Sequence, residues 1–341
     1  MQHKTRWTDE KLMQRLALIE PLVYKEQRPL PPFRYLELAS PVEAPPTGIS
    51  FDDSGWPLVT PHSYWAGWET NFVLRAQFAV PAGWQAPAAL HLPFEDARFF
   101  RHPETLVYIV GQPIAGADRF HTEMLLPPWA CDGAPHQLAI HGWTGHPDNP
   151  RDMATRLFLR DCALVQIDLP TRAFIAAARA MLGIAIELDE DDPNKGRLFN
   201  ALDDAFIALD TRDPLGGPAF YDSVPAALEI LRAGKQSGAP MDVDIVAVGH
   251  AHIDVAWLWT LDQVVRKTGR TFSTVLRLME QFPEYTFSQS QPQLYQYAER
   301  AYPELFAQIK QRVAEGRWEP MGGTWVEPDI NAIGAESLVR Q

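Results

Sequence analysis

The sequence predicts a multidomain α+β protein, because three kinds of residue pattern follow one another along the chain. Apolar residues alternate with period two from about residue 70 to 170, and they recur at helical spacing from 171 to 235. From about residue 242 onward, strand-like runs alternate with helical segments. A chain of 341 residues can form two or three domains with separate cores. We therefore expect a β-sandwich-like domain, a helical connector and the start of a domain with parallel strands.

The first segment, residues 1–36, is expected to hold one short helix followed by extended chain. Thr8 is a suitable N-cap residue, and two acidic residues follow it at the positive end of the helix dipole. Pro21 ends the helical pattern. The apolar stripe of this helix consists of Leu12, Leu16 and Ile19. Many prolines between residues 28 and 60 then predict an extended connection.

Residues 37–170 are expected to form the β-sandwich-like domain. In the run TNFVLRAQFAV every second residue is apolar, beginning at Phe72, while Arg75 and Gln77 occupy intervening positions. Turns rich in Gly, Pro and Asp separate the further strand-like runs LVYIVGQ, HQLAIHGW and ALVQIDLP. Several short strands without helices between them are typical of a β-sandwich.

Residues 171–241 are expected to form a connector of three helices. The run TRAFIAAARAMLGIAIEL predicts the first helix. The second and third have apolar stripes at Leu198, Leu202, Phe206 and Leu209, and at Tyr221, Val224, Leu228 and Leu231. The acidic residues 189–192 lack the spacing and central glycine of a calcium loop, so we interpret them as a solvated turn.

Residues 242–341 are expected to begin a domain of alternating strands and helices. DIVAVGH, YTFSQSQ and RWEPMGGTWV predict three strands, and the continuous apolar run of the first is typical of a strand covered on both faces. Helices are predicted from Thr260 to about Met279, over 292–315 with an interruption at Pro303, and from Ala335. Such alternation indicates parallel pairing in an open α/β sheet or a barrel. Three such units cannot close a barrel, so we expect the intact protein to continue beyond Gln341.

Composition and charge exclude several classes of partner. The formal net charge is −13 and the pI is near 5.2, which argues against nucleic acid or an anionic membrane as a main partner. The charged N-terminus does not resemble a secretory signal, and no apolar run approaches bilayer-spanning length. Two cysteines are too few for a disulfide framework, which favours the reducing cytoplasm. Homo-oligomerisation is compatible with the sequence but is not specified by it.

The run VGHAHIDVAWLWT, residues 248–260, carries the strongest chemical signal. On a strand, His250, His252 and Asp254 point to one side, about 7 Å apart at successive positions. Imidazole and carboxylate together suit a borderline divalent cation, with Zn²⁺ as the default and Co²⁺ or Mn²⁺ as alternatives. The carboxyl end of a strand is where α/β folds place their sites, and the remaining ligands must come from later strands.

The tryptophans that follow indicate the kind of substrate. An indole face can stack on the apolar face of a pyranose, so Trp257 is a candidate sugar-binding residue, whereas Trp259 is expected to pack under the next helix. Two other functions remain open from the residues alone. One is a metal-dependent amidohydrolase-like hydrolase, which also has a His-x-His pair after its first strand. The other is a non-catalytic carbohydrate-binding module formed by the β-sandwich.

GHAHIDVAWLW closely resembles the signature of the glycoside hydrolase family 38 α-mannosidases. The stretch FSQSQPQLYQYAERAYPELFAQIKQRVAEGRWEPMGGTWVEPDIN is similar to the segment that follows this signature in the cytosolic and vacuolar branch of that family. The resemblance extends over the whole chain, with its most specific motifs from residue 245 onward. It implies a retaining exo-hydrolase of terminal α-mannosides, built on a seven-stranded β/α barrel with one divalent metal.

The resemblance also implies roles for individual residues. His252 and Asp254 match the metal ligands, Trp257 matches the residue that stacks beneath the mannose, and His250 matches a histidine that supports the site without binding the metal. From the residues alone, Asp329 and Glu327 at the end of the third strand are candidates for lining the cleft. Asp329 looks like a nucleophile there, but we expect it to bind substrate, because the resemblance places the nucleophile in a later motif.

The family's nucleophile belongs to a W-x-x-D-x-F-G motif that does not occur in this sequence. We therefore expect the nucleophile, the acid/base carboxylate and a further histidine ligand beyond Gln341. Without them, the 341-residue chain is expected to bind metal weakly and to have no hydrolase activity.

Overall fold

The computed structural model describes residues 8–84, 87–94, 103–146, 154, 156–236, 243–329 and 331–340. The chain divides into two compact units, and both are discontinuous in sequence. Unit 1 comprises residues 1–28, 83–89 and 165–244, and unit 2 comprises residues 29–82, 90–164 and 245–341. The boundaries of the four domains predicted from the sequence (1–36, 37–170, 171–241 and 242–341) stay a prediction.

The chain is a mixed α+β protein, as the sequence predicts. The α-helices of the described residues are α1 (Thr8–Ile19), α2 (Leu169–Glu187), α3 (Pro193–Ala208), α4 (Pro218–Gln236), α5 (Leu261–Gln281), α6 (Pro292–Ala301), α7 (Pro303–Ala314) and α8 (Ala335–Arg340). The strands are β1 (Tyr24–Pro29), β2 (Phe33–Leu38), β3 (Leu58–Val59), β4 (Asn71–Phe78), β5 (Ala88–His91), β6 (Glu104–Ile109), β7 (Gln112–Ala117), β8 (Glu123–Leu125), β9 (His136–Trp143), β10 (Ala163–Ile167), β11 (Gly249–His250), β12 (Phe287–Gln289) and β13 (Trp318–Pro320).

Unit 1 contains helices α1 to α4, which confirm the predicted N-terminal helix and the three connector helices. The side chain of Asp168 caps α2, and the side chain of Asp192, from the predicted solvated turn, caps α3. The helices share one core that includes Leu12, Phe174 and Leu202. Helix α2 is apolar and long enough to cross a bilayer by length and composition, but most of its buried residues, such as Phe174 and Met181, belong to this core.

Unit 2 contains a six-stranded antiparallel sheet in the order β3-β2-β4-β9-β6-β7. Strands β4, β6 and β9 confirm the runs TNFVLRAQFAV, LVYIVGQ and HQLAIHGW as strands. The sequence indicated only an extended connection over residues 28–60, whereas the structure has strands β2 and β3 and the end of β1 there. The proline-rich composition concealed these strands, because prolines are tolerated at the ends and edges of strands.

Strand β4 does not alternate between buried and exposed residues as expected, because the charged side chain of Arg75 is buried. Its exposure is 1%, and the strand is buried on both faces over almost its whole length. The guanidinium donates to the Asp53 carboxylate at 2.7 Å and to the carbonyl oxygens of Pro46 and Gly48 at 2.7 and 2.8 Å. A buried cation is tolerated only when it is paired in this way.

The loop between β2 and β3, residues 39–57, is fixed by two arginines although it has no regular secondary structure. Arg75 holds the second half of the loop through the contacts given above. Arg266 of α5 holds the first half, since it donates to the carbonyl oxygens of Pro41 and Glu43 at 2.9 and 3.1 Å. Both arginines thus supply the hydrogen bonds that a ladder or helix would otherwise provide.

Unit 2 also contains a parallel sheet in the order β11-β12-β13, which confirms the predicted alternation of parallel strands and helices. Thr260 caps α5, and Gly316 follows α7 with a φ of 72°, as expected for a residue that ends a helix. The helices cover one side of the sheet, where Phe272, Phe287 and Trp318 are fully buried.

The first predicted strand of this sheet is much shorter than expected. In DIVAVGH only Gly249 and His250 pair with β12, and Ile245 and Val246 are 82% and 85% exposed. The prediction that this whole run is a strand covered on both faces is therefore wrong for the described residues. Apolar composition indicates a preference for burial, but it does not supply the neighbouring elements that would provide it.

Candidate functional site

The candidate site lies where the loops after β11, β12 and β13 meet. Each loop follows the carboxyl end of a parallel strand, and these ends lie at the same edge of the sheet. The first loop contributes His252 and Asp254, the second contributes Ser290 and Gln291, and the third contributes Glu327. Their side chains form one hydrogen-bonded group that spans all three loops.

His252 is the centre of this group, because both of its ring nitrogens have a carboxylate partner. Nε2 lies 3.1 Å from Oδ1 of Asp254, and Nδ1 lies 2.6 Å from Oε2 of Glu327. The ring remains 57% exposed. The hydrogen bond to Asp254 raises the pKa of His252 above its ordinary value, burial opposes this effect, and the bond to Glu327 adds to it.

Glu327 is held by partners from the loop after β12. The hydroxyl of Ser290 donates to Oε1 of Glu327, and the backbone N–H of Glu327 donates to Oε1 of Gln291 at 3.2 Å. Partial burial opposes ionisation of this carboxyl. The hydrogen bonds from Ser290 and His252 outweigh it and hold the pKa of Glu327 below its usual range.

Gln291 connects the first loop to the third. Its amide Nε2 donates to the carbonyl oxygen of Ile253 at 2.8 Å, while its Oε1 accepts from Glu327. The residue is 2% exposed and has a φ of 65°, in the left-handed region that non-glycine residues rarely adopt. This backbone conformation directs the chain from β12 into α6 and keeps the Gln291 side chain between the two loops.

The structure brings together some of the residues singled out in the sequence. His252 and Asp254 are adjacent, while His250 uses Nδ1 to donate to the carbonyl oxygen of Ser288 on β12 at 2.9 Å. Asp329 accepts a hydrogen bond from the backbone N–H of Asn331, so its contact lies within its own loop. The roles of these residues in binding metal or substrate stay predictions.

Trp257 and Trp259 pack against each other edge-to-face, with ring centroids 5.3 Å apart. Trp259 packs against the core as expected, and its indole N–H donates to the carbonyl oxygen of Asp254 at 3.0 Å. Trp257 is 65% exposed and lines a cavity of about 710 Å³ together with His250 and Lys267. His252 and Asp254 are not among the described residues that line this cavity, so the stacking role of Trp257 remains a prediction.

The donor atoms of His252 and Asp254 fit two positions around one divalent ion. Metal–ligand bonds of about 2.0 to 2.2 Å place neighbouring donors about 3 Å apart, which agrees with the observed 3.1 Å. Glu327 contacts the other ring nitrogen and therefore does not converge on the same point. Within the described ranges, no group of three or more His, Cys, Asp or Glu residues could hold a metal. His252 and Asp254 would therefore supply two ligands of a metal site, and the metal site itself stays a prediction.

Sequence patterns gave little indication of Ser290 and Gln291 as site residues. They belong to the run FSQSQ, which predicts a strand, and neither residue type is diagnostic of a site. A usable signal was their position at the carboxyl end of the second strand, next to that of the first. Glu327 was identifiable as a cleft residue for the same reason, but its contact with His252 across 75 sequence positions was not.

Comparisons with known proteins show which proteins this chain is similar to. The family model for "Glycosyl hydrolases family 38 N-terminal domain" matches residues 242–341. "Alpha-mannosidase 2C1" from Homo sapiens is 31% identical over 302 residues, which is 82% of this chain and 26% of the relative. "Alpha-mannosidase" from Saccharomyces cerevisiae is 32% identical over 256 residues, which is 70% of this chain and 23% of the relative.

A third relative matches a shorter segment at higher identity. "Alpha-mannosidase G" from Dictyostelium discoideum is 43% identical over 107 residues, which is 31% of this chain and 10% of the relative. The chain spans about a quarter of the length of the human and yeast relatives.

Proposed function

We propose that the protein is an α-mannosidase, because residues 242–341 match the N-terminal domain of glycosyl hydrolase family 38 and relatives named alpha-mannosidase align with most of the chain. The reaction is the metal-dependent, retaining hydrolysis of terminal α-mannosides in oligosaccharides. The single observation that carries the proposal is the pair of donor atoms on His252 and Asp254, 3.1 Å apart at the carboxyl end of a parallel strand.

The proposed domain is a seven-stranded β/α barrel in which β11, β12 and β13 are consecutive strands. Their parallel pairing in sequence order supports this architecture, because barrels of this kind are built from successive βα units. The helices on one side of the sheet and the loops at its carboxyl edge have the expected arrangement. In the proposed barrel, β11 would extend back over residues 245–248, which lie directly before it.

The residues of this chain have distinct proposed tasks. His252 and Asp254 hold the metal, Glu327 holds the His252 ring from its other side, and the exposed face of Trp257 stacks on the sugar. Asp329, on the third loop, binds substrate. His250, at the end of β11, supports the site without binding the metal. The divalent ion, with Zn²⁺ as the default and Co²⁺ or Mn²⁺ as alternatives, orients sugar hydroxyls and stabilises developing charge when bound.

Retention of configuration requires two further carboxyl groups. One attacks the anomeric carbon while the other protonates the leaving oxygen, and water then releases the sugar as the second group acts as a base. In the proposed assignment neither role falls to Glu327 or Asp329, because Glu327 is occupied by His252 and Ser290. The proposal therefore assigns the nucleophile and the acid/base residue to carboxyl groups other than those of Glu327 and Asp329.

The test is hydrolysis of an aryl α-mannoside by the protein as its own gene encodes it. We expect turnover that is lost on chelation and restored by Zn²⁺ or Co²⁺, with NMR showing the α-anomer as the first product. His252→Ala and Asp254→Asn are expected to lose activity, while Glu299→Gln, an exposed change on α6, retains it. Hydrolysis that is unaffected by chelation, or no preference for α-mannosides over other aryl glycosides, contradicts the proposal.

We also propose that the protein acts in the cytoplasm. Cys131 and Cys162 are both free, and Cys162 is buried. Burial raises the pKa of the Cys162 thiol to about 12, so the thiol stays protonated and unreactive at neutral pH. Free thiols without a disulfide are typical of proteins in a reducing compartment. Cell fractionation with an antibody to the protein tests the location.

A further inference from the structure

We infer that Glu327 is a positioning residue that selects one tautomer of His252 and so presents Nε2 to the metal. The role of Nε2 as a metal ligand rests on the proposed function, whereas the tautomer of His252 can be tested without metal. It assigns a task to a carboxylate on the third loop that neither sequence patterns nor the comparisons indicated. The observation behind it is a chain of contacts from Ser290 through Glu327 to His252.

The first step concerns the two ring nitrogens. A neutral imidazole carries one proton, so one nitrogen donates and the other accepts. Nδ1 lies 2.6 Å from Glu327, whereas Nε2 lies 3.1 Å from Asp254. The shorter, charge-assisted contact places the proton on Nδ1. The charged ring donates from both nitrogens, whereas the neutral ring keeps a lone pair on Nε2 that points toward Asp254, which is the arrangement a shared metal ion requires.

The second step concerns what holds Glu327. One carboxylate oxygen accepts from Ser290 and the other contacts His252, so the plane of the carboxyl group is fixed at both ends. The backbone of Glu327 is fixed as well, because its N–H donates to the buried side chain of Gln291. A carboxylate held in this way keeps the imidazole ring in one orientation.

The third step concerns why the ring needs such support. His252 is more than half exposed and follows a strand of only two residues, so its loop has little ladder pairing to fix it. An exposed ring otherwise samples several rotamers. The contact with Glu327 joins the first loop to the third, and this replaces the restraint that burial would give.

The structural test uses the 341-residue chain labelled with ¹⁵N-histidine, without metal and at a pH where the His252 ring is neutral. Long-range ¹H–¹⁵N correlation spectra distinguish the two tautomers, and the His252→Gln variant assigns the signal. We expect the Nδ1–H form to predominate in the unaltered chain. In Glu327→Leu the ring partner that remains is Asp254 at Nε2, so the Nε2–H form is expected to predominate.

Two further variants keep the test decisive. Ser290→Ala frees one end of the Glu327 carboxylate and is expected to shift the tautomer ratio in the same direction but less far. Glu299→Gln on α6 is the matched control and is expected to leave the spectrum unchanged. Thermal unfolding followed by circular dichroism identifies any variant that fails to fold. If Glu327→Leu does not fold, the tautomer ratio of Ser290→Ala is compared with that of the unaltered chain instead.

The functional test is Zn²⁺ titration of the same variants by calorimetry. Loss of a carboxylate that orients a ligating histidine typically costs 10- to 100-fold in metal affinity, and we expect a loss in that range for Glu327→Leu. An unchanged tautomer ratio in Glu327→Leu overturns the inference, and so does an unchanged Zn²⁺ affinity. The unaltered chain supplies two ligands and is expected to bind Zn²⁺ weakly, so where its affinity is too low for calorimetry the tautomer comparison alone decides the role of Glu327. Failure of the proposed function shows separately, as α-mannoside hydrolysis that chelation does not change.

Discussion

Replacing Gln291 is expected to destabilise unit 2 and to separate the loops of the candidate site. Gln291→Ala removes the donor to Ile253 and the acceptor for the Glu327 N–H. Each intramolecular hydrogen bond contributes about 1 kcal/mol net, and a buried carbonyl left without a donor costs about 1 kcal/mol or more. Ile253 is buried, whereas water can replace the partner of the Glu327 N–H on its exposed loop. We therefore expect a loss of about 2 to 3 kcal/mol.

A second substitution at the same position separates the backbone contribution from that of the side chain. Alanine retains the left-handed conformation at φ 65°, which costs an L-residue about 1 to 2 kcal/mol. Glycine adopts it without strain but loses about 0.4 to 1 kcal/mol through the greater freedom of the unfolded chain. Gln291→Gly is thus expected to be about 1 kcal/mol more stable than Gln291→Ala, and still less stable than the unaltered protein.

Urea denaturation followed by tryptophan fluorescence measures these differences, because nine of the eleven tryptophans belong to unit 2. Gln308→Ala, an exposed change on α7, is the control and should stay within about 0.5 kcal/mol of the unaltered protein. If Gln291→Ala also stays within about 0.5 kcal/mol, the two hydrogen bonds contribute nothing net. A glycine variant as stable as the unaltered protein would refute the reasoning about the side chain.

Three further predictions concern the rest of the described chain. Arg75→Met leaves the carboxylate it pairs with and two carbonyl groups without their donor, so it is expected to cost about 3 to 5 kcal/mol in urea denaturation. Burial, aided by two nearby arginines, lowers the pKa of His141 to about 3, so the unfolded chain binds one more proton between about pH 6.5 and 3. Stability should therefore fall as the pH decreases through this window, by up to about 1.4 kcal/mol per pH unit, and His141→Gln should reduce that slope while His62→Gln, an exposed change, should not. Phe272→Ala removes a fully buried ring that packs against Tyr295 and Trp318, and thermal and urea unfolding should both report a loss of about 3 to 5 kcal/mol.

The helices and the order of the parallel strands could be predicted from the sequence for a physical reason. Their apolar stripes, caps and stop residues act locally, and the structure confirms them at Thr260 and Gly316 and in the core of unit 1. The stripe of α5, for example, contains Val264, Phe272 and Met279, which are all buried.

The sequence failed where the outcome depends on distant partners. Arg75 is buried because carbonyl groups of a loop more than twenty residues earlier surround it, and nothing near position 75 indicates this. Ile245 and Val246 are exposed although their composition favours burial. In the candidate site, HAHID could be recognised because its ligands are local, whereas the partner of His252 lies on a loop 75 residues away.

The way in which residues 39–57 are held has a consequence for their tolerance of mutation. Arg75 and Arg266 grip main-chain oxygens at four points of this loop, at positions 41, 43, 46 and 48, and every amino acid carries such an oxygen. Side-chain changes at Pro41 and Gly48 should therefore be accepted with little effect, whereas Pro46 is buried and the Glu43 carboxylate accepts from the Ala39 N–H. A deletion of one residue would move several oxygens out of reach at once. The two arginines therefore constrain the number of residues between these oxygens more strongly than they constrain the amino-acid types.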